Sequence, residues 1–124
     1  MLRDNALKVV MFAAEASPFA KVGGLGDVVG ALPKALDKLG IRTAIVIPNY
    51  RASQPGNPDI RRCGAAPGFD IAMGSSIEHA DIFQSRIEGT GVDVYLIGSR
   101  KYFDRGGIYD DPATKEGYAD NMER

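Results

Sequence analysis

The stretch KVVMFAAEASPFAKVGGLGD at residues 8–27 decides the fold, because it joins a strand pattern to a glycine-rich turn and to the start of a helix. Residues 8–14 form a continuous apolar run, which is typical of a strand buried on both faces of a parallel sheet. Open α/β sheets bind their ligands at the carboxyl ends of the strands. The segment that follows, residues 15–27 (the glycine loop), is therefore the predicted binding site.

The next pattern predicts a helix over residues 25–39, followed by a stop at Gly40. Pro33 lies inside this helix, where it removes one hydrogen bond and is expected to kink the axis. The apolar run at 43–47 predicts a second buried strand, which ends at Pro48, so that residues 8–47 form a right-handed β–α–β unit. The apolar positions with helical spacing are Leu25, Val28, Val29, Leu32, Leu36 and Leu39.

The remaining sequence predicts a smaller antiparallel part. Residues 49–68 are rich in Pro, Gly, Asn and Arg and are interpreted as a long loop. Two strands are predicted at 78–87 and 92–97, joined as a β-hairpin by a Gly-Thr-Gly turn. A polar tail begins at Ser99 and is predicted to end in a helical stretch at 116–124. The fold class is therefore α/β, a partial Rossmann-like domain with a mainly parallel sheet and a hairpin.

Composition narrows the class of protein. The chain has 124 residues and a formal net charge of −1, with the two signs mixed along it, so no nucleic-acid partner is expected. The one cysteine, Cys63, excludes an intramolecular disulfide and indicates a cytoplasmic protein. The single histidine, His79, is interpreted as structural or exposed, and one His with one Cys argues against a zinc site. The apolar run at 9–14 is too short to cross a membrane.

The glycine loop combines groups that suit a phosphorylated sugar. Gly23, Gly24 and Gly26 let the backbone approach a ligand without a Cβ in the way. The helix that begins here offers unpaired N–H groups and the positive end of its dipole, which favour phosphate. Lys21 adds a mobile cation that can reach a diphosphate, and Asp27 can accept hydrogen bonds from sugar hydroxyls.

Simpler interpretations exist for each of these residues. The glycines can serve tight packing alone, Lys21 can be a solvated loop lysine, and Asp27 can merely complement the helix dipole. Glu15 can be no more than an exposed strand end.

Two other nucleotide sites fit the sequence less well. The pattern from Gly24 to Gly30 is close to a dinucleotide-binding turn, but the second strand ends in IPNY at 47–50, without an acid to hold the ribose. A P-loop fails because no Gly-Lys-Ser/Thr follows at its spacing.

The sequence KVGGLGDVV at residues 21–29, followed by ALPKAL at 31–36, resembles the Lys-x-Gly-Gly-Leu signature of glycogen and starch synthases. Val22 stands where that signature often has Thr. Three further segments resemble the family in the expected order, and the resemblance covers nearly the whole chain. They are AEASPF at 14–19, YFDR at 102–105 with Tyr109, and YADN at 118–121 with Arg124.

The resemblance implies a two-domain glycosyltransferase of the GT-B fold. Such enzymes transfer glucose from ADP-glucose to the non-reducing end of an α-1,4-glucan, with retention at the anomeric carbon and with no metal ion or cofactor. Residues 1–124 would be the N-terminal part of the catalytic domain, without the C-terminal GT-B domain. We therefore expect no complete catalytic set and no glucosyltransferase activity from this chain alone. The alternatives are a nucleotide-sugar or glucan-binding module without catalytic activity, and a product with no retained function.

The resemblance also implies roles for individual residues. Lys21 and the N–H groups of Gly23 and Gly24 would contact the phosphates. Asp27 and Glu15 would line the donor or acceptor sugar site. Tyr109 would approach the sugars from the next loop.

Two further expectations concern the chain as a whole. Asp120, Asn121 and Arg124 are assigned to holding the domain together. The sheet edges that the sequence leaves uncovered predict self-association.

Overall fold

The computed structural model describes residues 7–51 and 59–124. Within these residues the chain forms a six-stranded sheet with the strand order β1-β2-β6-β5-β3, and β4 pairs with β5 beside this path. The elements are β1 (Lys8–Phe12), α1 (Gly24–Lys38), β2 (Arg42–Pro48), β3 (Arg61–Arg62), β4 (Gly68–Met73), β5 (Ser76–Arg86), β6 (Asp93–Gly98) and α2 (Arg100–Phe103).

The parallel half of the molecule consists of β1, β2, β6 and α1. β1 pairs with β2 in parallel, with Lys8 opposite Arg42, and β2 pairs with β6 in parallel, with Ala44 opposite Asp93. The predicted β–α–β unit is confirmed, and with it the α/β class. Gly40 follows α1 with a φ of 76°, the left-handed conformation that glycine adopts at low cost.

The antiparallel half consists of β3, β4 and β5, and it is larger than the sequence suggested. The predicted hairpin of β5 and β6 is confirmed, with Asp81 opposite Gly98. However, β5 also pairs with β4 and β3. The predicted loop at 49–68 is wrong over Arg61–Arg62 and at Gly68, and its residues 52–58 lie outside the described part. β4 was missed because its side chains are mostly exposed, so its pairing with β5 leaves little hydrophobic pattern.

Helix α1 turns an unexpected face toward the sheet. Its buried residues are Gly26, Val29, Gly30 and Pro33. Four of the six apolar positions with helical spacing are instead exposed: Leu25 by 47%, Val28 by 57%, Leu32 by 45% and Leu39 by 75%. The reason is close packing, since a Cβ on Gly30 would lie 2.6 Å from the Ser17 carbonyl oxygen. The helix continues through Pro33 to its end at Lys38.

The main core lies between α1, the glycine loop and one face of the parallel strands. The opposite face of β1 is open, because Phe12 is 79% exposed and no described element covers it. The prediction that this strand is buried on both faces is therefore wrong. The buried core residues are Ala16, Phe19, Val29, Ile45, Ile47, Ile87, Val92, Val94 and Leu96.

A second cluster joins the end of β2 to α2, a short helix that the sequence did not predict. The rings of Tyr50 and Phe103 meet edge to face with centroids 5.6 Å apart, and Ala20 and Tyr102 complete the cluster. The Ser99 side chain caps α2 by accepting from the Tyr102 N–H at 3.4 Å. The polar tail is thus attached through buried aromatic side chains.

The predicted helix at 116–124 is wrong, because the segment forms turns and an isolated bridge between Gly117 and Asp110. Besides a few turn hydrogen bonds within itself, the segment bonds to earlier residues. Arg105 donates to both carboxylate oxygens of Asp120, at 2.6 and 2.5 Å. The Asn121 amide donates to the Tyr109 carbonyl at 2.9 Å, and the Arg124 guanidinium lies 4.7 Å from the centre of the Tyr118 ring.

Candidate functional site

A cavity of about 540 Å³ lies at the carboxyl ends of β1, β2 and β6. This is the edge at which an open α/β sheet is expected to bind ligands. Most of its lining is apolar, and its polar groups come from the residues that follow the strands. The polar or titratable side chains in the lining are Tyr50, Tyr109, Asn121 and Arg124.

Glu15 lies behind the glycine loop with only 2% of its surface exposed. Its carboxylate accepts from the Val22 N–H at 2.6 Å and from the Gly26 N–H at 3.0 Å. The Gly23 N–H points between the two oxygens, at 3.3 Å from each. The carboxylate therefore satisfies backbone donors at the start of α1 and complements the helix dipole. The side chain sits inside the loop rather than on its outer surface.

Gly23 and Gly24 differ from the two glycines of the helix face. A Cβ on Gly23 would be 3.9 Å from its nearest neighbour, the Glu15 carboxylate, and a Cβ on Gly24 would meet nothing within 4 Å. Gly23 has a φ of −145°, an extended conformation that any residue adopts. The Gly24 N–H finds no acceptor among the described residues. The fold itself therefore does not require glycine at either position.

Lys21 and Asp27 face each other across the mouth of the loop. The Lys21 Nζ lies 2.9 Å from Asp27 Oδ1, and both side chains are about half exposed. Exposed ion pairs of this kind are worth roughly 0–1 kcal/mol. A ligand can therefore displace either partner at little cost.

Tyr109 is partly exposed at the cavity, and burial together with the nearby Glu15 charge raises the pKa of its hydroxyl. Tyr50 is a residue of this edge that the sequence reasoning missed. Its hydroxyl donates to the Ala14 carbonyl at 2.7 Å, and burial, reinforced by Tyr109, raises its pKa to about 12. The strand-end rule that selected the loop after β1 applies equally to Tyr50, which follows β2 by two residues.

The structure thus brings Glu15, Lys21, Gly23, Gly24 and Asp27 together in one loop, with Tyr109 close enough for its pKa to respond to Glu15. These groups offer a cation, a free backbone donor and the exposed Asp27 carboxylate, which suit phosphate and sugar hydroxyls. In the described ranges, no three His, Cys, Asp or Glu side chains are placed to hold a metal ion. None of the helices described is long and apolar enough to cross a bilayer.

Comparison with known proteins identifies relatives whose family is known. The glycogen synthase of Syntrophotalea carbinolica is 36% identical over 118 residues, which are 95% of this chain and 23% of that protein. The glycogen synthase of Moorella thermoacetica is 35% identical over 122 residues, or 98% of this chain and 22% of that protein. The chain therefore spans less than a quarter of the length of these relatives.

A solved structure shares the fold. The catalytic domain of starch synthase IV from Arabidopsis thaliana, bound to ADP and acarbose, matches with a TM-score of 0.75 and 34% identity. The match covers 87% of this chain and 22% of that one. The family model for the starch synthase catalytic domain matches residues 8–124. The chain therefore belongs to the starch synthase catalytic domain family.

Proposed function

We propose that this chain supplies the glycine loop of the donor site in a glycosyltransferase that transfers glucose from ADP-glucose to an α-1,4-glucan. The observation that supports this most is the open space at Gly24, beside Lys21, in a chain of the starch synthase family. A glycine that the fold does not need is explained by a ligand that approaches the backbone closely. The related structure that binds ADP and acarbose supports the same classes of ligand.

Phosphate recognition is assigned to Lys21 and the Gly24 N–H. Lys21 exchanges Asp27 for a phosphate oxygen, and the Gly24 N–H donates to a second oxygen. Gly23 contributes mainly by leaving room for the ligand, because it has no side chain and its N–H already donates to Glu15. Fixed donors of this kind stabilise the charge that develops on a departing diphosphate, without a metal ion.

Sugar recognition is assigned to Asp27 and Tyr109. Once Lys21 has moved to the phosphate, the Asp27 carboxylate is free to accept from a sugar hydroxyl. Tyr109 reaches the sugars from the loop after α2, where its hydroxyl can donate to a sugar oxygen. Glu15 belongs to the same site as the inner side of the loop.

We propose that residues 1–124 are the N-terminal part of a catalytic domain and do not turn over ADP-glucose alone. Orientation of two reactants within one closed site can contribute ~7–11 kcal/mol to lowering a barrier. The glycine loop contacts one side of such a site and cannot orient donor and acceptor together. The second candidate, a binding module without catalysis, is favoured by the same observation.

The test is a titration of the purified chain with ADP and then with a maltooligosaccharide, followed by NMR. We expect ADP to shift the amide signals of Lys21 and Gly24. Lys21→Ala is expected to weaken ADP binding about tenfold, the value of one charged hydrogen bond. Lys34→Ala, an exposed lysine on α1, serves as the matched control.

Three outcomes are decisive, from this titration together with an assay of glucose transfer from ADP-glucose. Absence of ADP binding by the unmodified chain would refute the proposed site. Turnover of ADP-glucose by the chain would refute its inactivity. The binding module would be favoured if the chain binds ADP and maltooligosaccharide but no glucose is transferred even when the rest of a catalytic domain is added.

Location and assembly are also proposed. A cytoplasmic location is supported by Cys63, a single buried free thiol. Self-association is supported by β1, a strand at the end of the sheet with exposed apolar side chains at Val10 and Phe12. Sedimentation over a range of concentrations tests this, and a concentration-independent monomer would contradict it.

A further inference from the structure

We propose that Glu15 is a positioning residue that shapes the glycine loop for the phosphates and does not itself bind the ligand. This inference rests on the proposed function, because it concerns the same ADP-binding loop. It differs from the expectation that Glu15 lines a sugar site. The carboxylate acts through the backbone donors it holds, and the ligand meets those parts of the loop that Glu15 leaves free.

The hydrogen bonds of Glu15 enclose Gly24. Its two oxygens hold the N–H groups of Val22 and Gly23 on one side and of Gly26 on the other. Gly24 lies between these anchored positions and keeps its N–H unbonded within the described part of the chain. Two adjacent glycines without an anchor would sample many conformations, and ordering them on binding would lower the affinity. The hydrogen bonds of the Glu15 carboxylate order the loop before a ligand binds, so that binding does not have to order it.

A carboxylate is needed here rather than any polar side chain. Glu15 is buried, and a buried carboxylate is tolerated when its oxygens are bonded. Lys21 pairs with Asp27 and not with Glu15, so the backbone N–H groups supply the compensation. A glutamine offers only one oxygen, and its amide N–H₂ would face a backbone N–H. The neutral isostere therefore cannot hold both sides of Gly24.

ADP separates positioning from direct sugar contact, because it carries the diphosphate but no glucose. A Glu15 that touched only the sugar would leave ADP affinity unchanged when substituted. A Glu15 that positions the loop affects ADP affinity, and it also protects the amides that it holds.

The experiment measures ADP affinity and amide hydrogen exchange for the chain and for Glu15→Gln. We expect ADP binding to weaken about tenfold, as for the loss of one well-placed bond to a charged group. The amides of Val22, Gly23 and Gly26 are expected to exchange faster, while the buried strand amides keep their protection. Glu88→Gln makes the same chemical change at an exposed position and is expected to alter neither quantity.

The outcomes separate this inference from the proposed function. If Glu15→Gln keeps the ADP affinity of the parent chain, the positioning role is overturned and the ADP site stands. If the parent chain does not bind ADP, the proposed function fails, and the positioning role fails with it. If Glu15→Gln does not fold, Glu15→Asp takes its place. Aspartate keeps the charge but is one methylene shorter, so it is expected to weaken ADP binding, and unchanged affinity would overturn the inference.

Discussion

The parallel and antiparallel halves of the sheet are stabilised in different ways. In the parallel half, Ile45 and Leu96 are completely buried beneath α1 and the glycine loop. In the antiparallel half, β4 exposes most of its side chains, and its contacts with β5 include the hydrogen bond between His79 and Asp70. Five of the six proposed site residues belong to the parallel half. The proposed ligand site therefore lies on the half with the buried core, where positions are fixed most firmly.

The largest expected difference between the halves is in core truncation. Ile45→Ala removes a fully buried side chain from the parallel half and is expected to lower the free energy of unfolding by about 3 kcal/mol. The matched change Ile77→Ala, in the exposed part of β5, is expected to cost less than about 0.5 kcal/mol. Urea unfolding measures both. Equal losses in the free energy of unfolding would show that the two halves do not differ in this way.

The next effect distinguishes two glycines within the parallel half. Gly30→Ala forces a Cβ against the Ser17 carbonyl and is expected to cost about 2 kcal/mol of stability. Gly24→Ala places its Cβ in open space and is expected to leave stability unchanged within about 0.5 kcal/mol, while weakening ADP binding. Thermal unfolding and ADP titration of both variants test this. A destabilised Gly24→Ala would show that its glycine serves the fold instead.

A smaller effect concerns the Tyr50 hydroxyl, which bonds to Ala14 at the end of β1. Tyr50→Phe is expected to cost about 1 kcal/mol at neutral pH. Because the folded protein raises the Tyr50 pKa from 10.0 to about 12, the folded state holds this proton more tightly than the unfolded state. The corresponding stability is complete below pH 10 and is lost as the pH rises toward 12.

Unfolding of Tyr50→Phe across this alkaline range tests the linkage. The variant is expected to lose less stability between pH 10 and 12 than the parent chain. Tyr95→Phe is the control, since its hydroxyl makes no hydrogen bond within the described residues. An identical pH dependence for the parent and Tyr50→Phe would contradict the assignment.

The smallest effect lies in the antiparallel half. The hydrogen bond from His79 Nδ1 to Asp70, at 2.6 Å, raises the His79 pKa above its usual 6.5, and Asp81 adds to the shift. The pair therefore stabilises the hairpin of β4 and β5 fully below pH 6.5, and this contribution is lost as the pH rises through the folded pKa.

An NMR titration of the His79 ring measures this shift. Asp70→Asn is expected to bring the His79 pKa down toward its usual value, whereas Asp93→Asn, at the start of β6 and opposite Arg86, is expected to leave it unchanged. A His79 pKa that does not respond to Asp70→Asn would contradict the stabilising interaction between these two side chains.

Local patterns in the sequence sufficed for the β–α–β unit and for placing most of the proposed site residues in one loop. Apolar runs, helical spacing and the glycines that end elements depend on neighbouring residues alone. The orientation of α1 could not be predicted in this way, because it depends on the approach of Gly30 to Ser17. A hydrophobic pattern favours burying Leu25 and Val28, while close packing buries the glycine face instead.

The residues of the proposed site could be named from the sequence, but their contacts could not. Lys21, Gly23, Gly24 and Asp27 follow from the glycine loop itself. Glu15 was expected to line a sugar site, yet its carboxylate turns inward to backbone donors up to eleven residues away. Such a turn depends on the folded path of the loop, and residue type and spacing do not encode it.

The ion pair of Lys21 and Asp27 has a consequence for salt dependence. With Glu15 buried beside them, the loop offers a diphosphate no net positive charge, because its one lysine is outnumbered by two carboxylates. Long-range attraction, which screening weakens over a distance of about 10 Å at moderate ionic strength, therefore contributes little here. In the proposed site, a diphosphate binds when Lys21 exchanges Asp27 for a phosphate oxygen at contact distance. Added salt weakens the attraction between Lys21 and Asp27 as much as the attraction between Lys21 and a phosphate. We therefore expect this loop to keep binding a diphosphate at ionic strengths that dissociate ligands from ordinary basic phosphate sites.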